Sequence, residues 1–180
     1  MKFLLCLIVA LLASVSSWGA AKADWQSVSC NDDRLTLMMP GKPVKTQKSD
    51  SSIVGNVKSV LYTVKFEGIG GVTVDCSDIP GTALFFAGAD TIYSNAKGSL
   101  LSKVHGKTDT WTDINIDGHQ GKKLTYRTPP SSGHPGYTGE AQMFLIGNYL
   151  YIISVLEMTG EDTITEDKVF ASLKFSDANG

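Results

Sequence analysis

The stretch from Trp111 to Met158 constrains the fold most, because apolar runs suited to strands are separated there by turn signals. Asp117-Gly118 and Gly147-Asn148 are dipeptides that favour tight turns between antiparallel strands. Between these turns, 128–138 contains three prolines and two glycines and predicts a surface loop without regular structure. The stretch therefore predicts four antiparallel strands, at 111–116, 120–127, 139–146 and 149–158.

The N-terminal half predicts further strands. Residues 35–39 are apolar and end at Pro40-Gly41-Lys42-Pro43, where proline cannot donate to a sheet and Pro-Gly favours a turn. Residues 45–55 are polar and rich in serine, which indicates a loop or a loosely paired segment. The next two segments, 57–66 and 72–76, alternate apolar and polar residues and predict a hairpin that turns at the glycines between them.

Two segments have helical periodicity. Apolar residues recur every three or four positions from Ala89 to Val104, which predicts an amphipathic helix. Thr163 and Glu166 have the spacing of a capping box, and apolar residues follow at 169, 170 and 173. The order of elements predicts an α+β fold: a single antiparallel β-sheet of about six or seven strands with two main helices packed on it.

Residues 1–23 are typical of a secretory signal peptide. Lys2 precedes an apolar run from Phe3 to Ala13, and Ala21-Lys22-Ala23 is a small-x-small cleavage pattern. The run is shorter than the roughly 20 residues needed to cross a hydrocarbon core. We expect cleavage after Ala23, which leaves one domain at 24–180 that is periplasmic or secreted. An uncleaved anchor is the alternative.

The charge of the chain argues against two classes of partner. Loss of Lys2 and Lys22 from 16 basic residues leaves 14 against 18 acidic ones, a net charge near −4. No basic stripe for nucleic acid and no polybasic cluster for anionic lipid is present. We expect no nucleic-acid partner and no stable membrane insertion after cleavage, and a protein or envelope component as the partner. The sequence does not determine the oligomeric state.

Cys30 and Cys76 remain after cleavage, an even number in an oxidising compartment. A disulfide between them would remove about 4 kcal/mol of freedom from the unfolded chain. Cys76 is in phase with Val72 and Val74, so its side chain should face the core. Two free thiols are the alternative, and acylation of Cys30 is a less favoured one because no leucine-containing lipoprotein box precedes it.

The histidines His105, His119 and His134 lie 14 and 15 residues apart, whereas structural zinc ligands come in close pairs. The sequence therefore predicts no metal site, with a weak site of His119 and Asp117 as the alternative. His119 lies in a predicted hairpin turn and His105 follows a predicted helix, and both are expected to face solvent. No cofactor motif is present.

Nucleophilic catalysis has little support. A Gly-x-Ser-x-Gly elbow is absent, and only Ser131 and Ser132 lie close to a histidine, His134. Loops as long as 128–138 are often functional. We therefore interpret this loop as the best candidate for partner binding, through Arg127, His134 and Tyr137. A plain hairpin loop without a function is the alternative.

An ordered set of motifs resembles a broad group of secreted bacterial proteins of uncharacterised function. The motifs are RLTLMMPGKP at 34–43, the helix at 89–101, IDGHQGKKL at 116–124, FLIGNYLYI at 144–152, and the Phe170–Phe175 end. The fold of this group resembles that of PsbP, an extrinsic photosystem II protein, and of a nuclear factor that binds the GTPase Ran. The resemblance covers nearly all of the chain after residue 23.

The resemblance implies a fold and, less directly, a class of function, since fold alone does not determine activity. Proteins of this type are mostly binding or assembly modules, and the group has no shared catalytic motif to place on these residues. We therefore expect an exported, non-enzymatic binding or accessory module. One alternative is a small extracytoplasmic hydrolase that uses a serine or histidine near the 128–138 loop. The other is a carrier of lipid or another small ligand, with an apolar pocket between the sheet and the helices.

Overall fold

The structure is a computed structural model that describes residues 24–30, 34–52, 55–66, 70–130, 135–159 and 164–176. The predicted signal peptide, Ser131, Ser132, His134 and the first residue of the predicted capping box lie outside these ranges. The strands are β1 Trp25–Cys30, β2 Leu35–Pro40, β3 Val44–Ser52, β4 Gly55–Phe66, β5 Gly70–Asp78, β6 Lys107–Ile116, β7 His119–Arg127, β8 Tyr137–Ile146, β9 Tyr149–Met158 and β10 Lys174–Phe175. The helices are α1 Gly81–Val104 and α2 Ile164–Ala171. Within the described ranges, no helix is long and apolar enough to cross a membrane.

The strands form two sheets, so the prediction of a single sheet is wrong. Seven strands pair in the order β3-β4-β5-β9-β8-β7-β6, and β1, β2 and β10 form a separate three-stranded sheet. All of the pairings are antiparallel. The separation follows from the turn after β2, where Gly41 has φ +72° and Pro43 cannot donate to a sheet. The remaining prediction, an α+β fold with about seven antiparallel strands in the main sheet, is confirmed.

Three elements differ from the sequence-based expectation. Residues 45–55 were expected to form a loop or a loosely paired segment, but most of them lie in β3, which pairs with β4 from Val44 to Ser52. Its residues 44–49 are all exposed, and all of them except Val44 are polar, as suits an edge strand that must not attract other chains. Strands β1 and β10 were not expected. Helix α1 begins at Gly81 instead of Ala89, with a kink at Gly88, where φ is +72°.

The main sheet is covered on both faces. One face packs against the small sheet and α2, and the buried residues of this layer include Leu35, Met39, Val74 and Val169. The other face packs against α1 through a second cluster that includes Ile92 and Leu124. Alternation along β5 divides its side chains between these faces. Val72, Val74 and Cys76 face the first layer, and Thr73, Asp75 and Ser77 face the α1 side.

Helix α1 is attached to the β6–β8 half of the sheet. The backbone N–H of Leu145 on β8 donates to the Tyr93 hydroxyl at 2.9 Å, and burial raises the pKa of this tyrosine. The Lys97 ammonium lies 4.8 Å from the centroid of the Trp111 ring on β6. These contacts hold the helix to one side, so that β4 and β5 are not fully covered by it. A groove remains between α1 and these strands.

Candidate ligand-binding groove

A large concave surface of the described structure is the space between α1 and strands β4, β5 and β9, called here the α1 groove. Its volume is about 950 Å³, near the upper end of the range for small-molecule sites. The floor runs from Val57 to Lys65 along β4, roughly 26 Å at strand geometry. The α1 side chains that form its wall are Ile92, Asn95, Ala96, Ser99, Leu100, Lys103 and Val104.

Most of the groove surface is apolar. Leu61 on β4 and the β9 residues Ile152 and Leu156 line the floor, and Ala96 and Leu100 face them from the helix. All five side chains are half-buried, so part of their apolar surface is in contact with water. Covering this surface with an apolar ligand would contribute about 25 cal/mol per Å² removed from water.

One end of the floor is built around Tyr126. Its ring is 2% exposed, and its hydroxyl forms a hydrogen bond with the Ser154 hydroxyl at 3.0 Å. Burial raises the pKa of Tyr126. The ring lies against Gly139 of the neighbouring strand, where an added Cβ would come within 2.4 Å of it. Glycine at position 139 therefore makes room for the ring that closes this part of the groove.

A short chain of hydroxyl groups leads to a carboxylate in the middle of the floor. The Ser77 hydroxyl donates to Oδ1 of Asp75 at 2.8 Å and lies 2.7 Å from the Ser59 hydroxyl. Because Ser77 donates its single hydroxyl proton to Asp75, Ser59 is the donor in the hydrogen bond between the two serines. The strands place Asp75 between Leu61 and Ile152, so its carboxylate lies between two apolar neighbours.

The end of the groove opposite Val57 is lined by Lys65, Lys103 and Tyr137. Lys65 pairs with Gly71, which in turn pairs with Leu156, and this level of the sheet lies near the end of α1 that carries Lys103. Both lysines are exposed. Long lysine stems can keep their ammonium groups in water while lining an apolar surface. This end is thus a solvated opening of the groove.

The described lining residues do not include the groups that catalysis by a nucleophile would need. Neither histidine nor cysteine is among them, and the serines of the floor bond to Asp75, Tyr126 or one another. Over the described part of the chain, no three His, Cys, Asp or Glu side chains are grouped so that they could hold a metal ion.

The structure does not bring together the two described residues of the predicted partner-binding loop. Arg127 binds Asp109 of β6 through both carboxylate oxygens, at 2.7 to 3.0 Å. Tyr137 lines the α1 groove. Arg127 pairs with Thr138, the residue after Tyr137, so the two side chains point to opposite faces of the sheet. His134 lies outside the described residues, and partner binding by the 128–138 loop stays a prediction.

The two described histidines have different surroundings. His105 is exposed and ends α1 in the left-handed conformation, with φ +53°. His119 was expected to face solvent but is half-buried, because its ring packs on Phe175 of the small sheet with 4.8 Å between centroids. Neither histidine lines the groove.

The structure places Cys30 and Cys76 at disulfide distance, with their Cα atoms 6.2 Å apart. This separation lies within the range that a disulfide spans. Cys76 is 2% exposed and faces the core, as its phase with Val72 and Val74 predicts. The pair would connect β1 of the small sheet to β5 of the main sheet.

The carrier alternative of the sequence analysis supposes an apolar pocket between sheet and helices, but among the residues that line the α1 groove sequence reasoning named Tyr137 alone as a site residue, and only as part of the loop. Two signals in the sequence point to the groove once the fold is known. Asn95, Ser99 and Lys103 follow one another at four-residue intervals, a polar stripe beside the apolar one on α1. On β5, Asp75 and the polar residues two positions on either side fall on one face of the strand. In a sequence, each of these patterns normally indicates a solvent-exposed face. Only the fold shows that the two faces line the same groove.

Comparisons with known proteins define the class of fold. The cyanobacterial PsbP protein CyanoP from Synechocystis sp. PCC 6803 superposes with a TM-score of 0.56 at 16% identity, over 88% of this chain and 96% of that one. A protein from Bacteroides thetaiotaomicron gives a TM-score of 0.44 at 12% identity, over 85% of this chain and 49% of that one. PA94 from Pseudomonas aeruginosa, of unknown function, gives 0.35 at 13% identity, over 75% of this chain and 83% of that one.

The chain therefore has a PsbP-like fold, as the ordered motifs predict. No family model matches the sequence, and no curated protein matches it either. At 16% identity the similarity to CyanoP shows the fold alone, so the function has to be argued from the surfaces of this chain.

Proposed function

We propose that this protein is a non-catalytic binding module and that the α1 groove is its site for a small ligand with an apolar body. The observation that carries the proposal is the groove itself: about 950 Å³ of space, lined mostly by apolar side chains, with a few polar groups on the floor. Ligand sites commonly combine a large apolar surface with a small number of placed polar groups. This corresponds to the carrier alternative of the sequence interpretation.

Export supports this proposal from the sequence side. The leader at 1–23 favours a protein that works in the periplasm or outside the cell, and the closeness of Cys30 and Cys76 suits an oxidising compartment. PsbP-like proteins such as CyanoP share the fold, and we expect the same general role of an accessory protein here. A carrier or sensor of an apolar ligand is a role that needs no catalytic group.

Blocking the groove tests the proposal. Ser99→Trp places an indole in the groove, whereas Ser94→Trp adds the same side chain to an exposed position of α1 outside the lining. The probe is N-phenyl-1-naphthylamine, a neutral apolar fluorophore whose emission rises in apolar surroundings. We expect the wild type and Ser94→Trp to bind it, and Ser99→Trp to lose at least about tenfold in affinity. Equal binding by all three proteins, or no binding by the wild type, would refute the proposal.

A second candidate function is docking on a protein or envelope component, which the sequence analysis favours. Phe85 and Phe86 of α1 are 83% and 78% exposed and form an edge-to-face pair with 5.3 Å between centroids. Exposed aromatic pairs of this kind are common at interaction sites. Phe85→Ser/Phe86→Ser should lose a partner that the wild type retains from the envelope fraction, and Ser99→Trp should keep it. Identical captured material from the wild type and the double variant would contradict this docking role.

A further inference from the structure

The Asp75 carboxylate lies in the middle of the α1 groove, and a purely apolar ligand would remove water from it without replacing the lost hydrogen bonds. Asp75 is half-buried between Leu61 and Ile152, whose side chains lie next to it on the same face of the sheet. Its Oδ1 accepts the Ser77 hydroxyl, and Oδ2 has no hydrogen-bond partner among the described residues. A ligand that covers the neighbouring apolar surface must also cover this oxygen.

Covering a carboxylate without a new partner is costly. An uncompensated charge in an apolar site costs several kcal/mol, so it weakens the binding of any ligand that covers Asp75 without offering it a partner. The aspartate stem is short, so Asp75 cannot extend its charge into water. Lys65 and Lys103 differ in this respect, because both are exposed and their long stems can keep the ammonium groups in water when a ligand binds.

The geometry points to an amine-bearing amphiphile as the ligand class of the α1 groove, with its protonated amine bound to Asp75 and its apolar body on Leu61, Ile152 and the facing side of α1. This inference rests on the proposed function, since it names the ligand of the same site. An ammonium group donates to the free Oδ2 and neutralises the carboxylate, and charge-assisted bonds of this type are stronger than neutral ones. The Ser59-Ser77-Asp75 chain fixes the carboxylate in place before the ligand arrives.

Lys65 and Lys103 do not make an anionic ligand more favourable than an amine. Leu61 is the partner of Asp75 on β4, and Lys65 lies four residues beyond Leu61. At strand geometry, Lys65 is therefore roughly 13 Å along the sheet from the level of Asp75. An anion bound at the lysines would thus leave Asp75 covered by the apolar part of the same molecule. An amine at Asp75 leaves both lysines in water, where they need no partner from the ligand.

Three eight-carbon probes that differ only in the head group test the inference. Octylamine, 1-octanol and octanoate are each titrated against the complex of the wild-type protein with N-phenyl-1-naphthylamine, and the displacement is measured. We expect octylamine to bind at least about tenfold more tightly than octanol, and octanoate to bind most weakly. Asp75→Asn keeps the shape of the side chain and an acceptor for Ser77. It should lower the affinity for octylamine and raise that for octanol, so that the two become about equal, because the variant removes both the partner of the ammonium and the cost of covering a charge.

Asp90→Asn is the matched control, because Asp90 is exposed on α1 outside the groove and its substitution removes the same charge from an acidic protein. It should retain the preference for octylamine. Equal affinities of octylamine and octanol for the wild type, the same loss in both variants, or tightest binding of octanoate would overturn the inference while leaving the groove as a ligand site. If neither the fluorophore nor any probe binds, the proposed function itself fails.

Discussion

Three glutamates meet where α2 covers the main sheet. Glu140 and Glu157 are 4% and 7% exposed, and Glu166 of α2 bonds to Glu140. The charged and polar partners of Glu140 in this cluster are the Lys123 ammonium and the Gln142 amide, which donates at 2.9 Å. Burial, together with the nearby carboxylates of Glu140 and Glu157, raises the pKa of Glu166 from 4.5 to about 7, and Lys123 partly opposes this shift. Glu166 is therefore a residue through which pH acts on this interface.

The raised pKa fixes the sign of a pH dependence. Protonated Glu166 contributes stability that is complete below pH 4.5 and is lost as the pH rises to about 7. Glu166→Gln should equal the wild type in free energy of unfolding at pH 4 and exceed it by about 1–2 kcal/mol at pH 8, a value reduced for solvent screening. Urea denaturation at both pH values measures this. Asp167→Asn on the exposed side of α2 should show no such divergence, and a wild type more stable than Glu166→Gln at pH 8 would contradict the assignment.

At the scale of the element, α1 consists of two parts with different attachment. The part after Gly88 contains Tyr93 and Lys97, which bind the sheet, whereas the part from Gly81 to Ala87 has most of its residues exposed. Gly88 breaks the helical conformation between them with φ +72° and ψ 164°. Opening of the first part thus breaks few buried contacts.

Hydrogen exchange measures this difference. Amides of residues 84–87 should exchange at least about tenfold faster than those of residues 92–104, because local opening of the first part needs less free energy. Amides of β9, which is hydrogen-bonded on both sides, provide the slow reference. Protection of 84–87 equal to that of 92–104 would mean that α1 opens as one unit and that the kink has no dynamic consequence.

How well the elements could be predicted depended on how their residues are buried. The hairpins at Asp117-Gly118 and Gly147-Asn148 were predicted correctly, because a two-residue turn between apolar strands has few other solutions. Strand β3 was not, because an exposed edge strand carries no apolar alternation, and β10 pairs over only two residues. The residues that line the α1 groove could not be predicted as a set, since its walls come from residues far apart in the sequence.

At the scale of the whole molecule, the two sheets meet through one apolar layer, and Cys30 and Cys76 lie within it at 3% and 2% exposure. A bond between them would link the small sheet to the central part of the main sheet and restrict the unfolded chain by about 4 kcal/mol. Two free thiols in the same positions would contribute only their packing. The two states differ in whether the effects of substituting Cys30 and Cys76 on the free energy of unfolding are additive.

A double-mutant cycle distinguishes these states. If the disulfide forms, Cys30→Ala alone and Cys76→Ala alone each break it, so each should lower the free energy of unfolding by about 2–4 kcal/mol, and the double variant should lose little more than either single one. Free thiols would instead give smaller losses that add. Urea denaturation under non-reducing conditions measures all four proteins, and the wild type with reductant should fall to the level of the variants. Additive losses, or a wild type insensitive to reductant, would mean that the sheets are held together by packing alone.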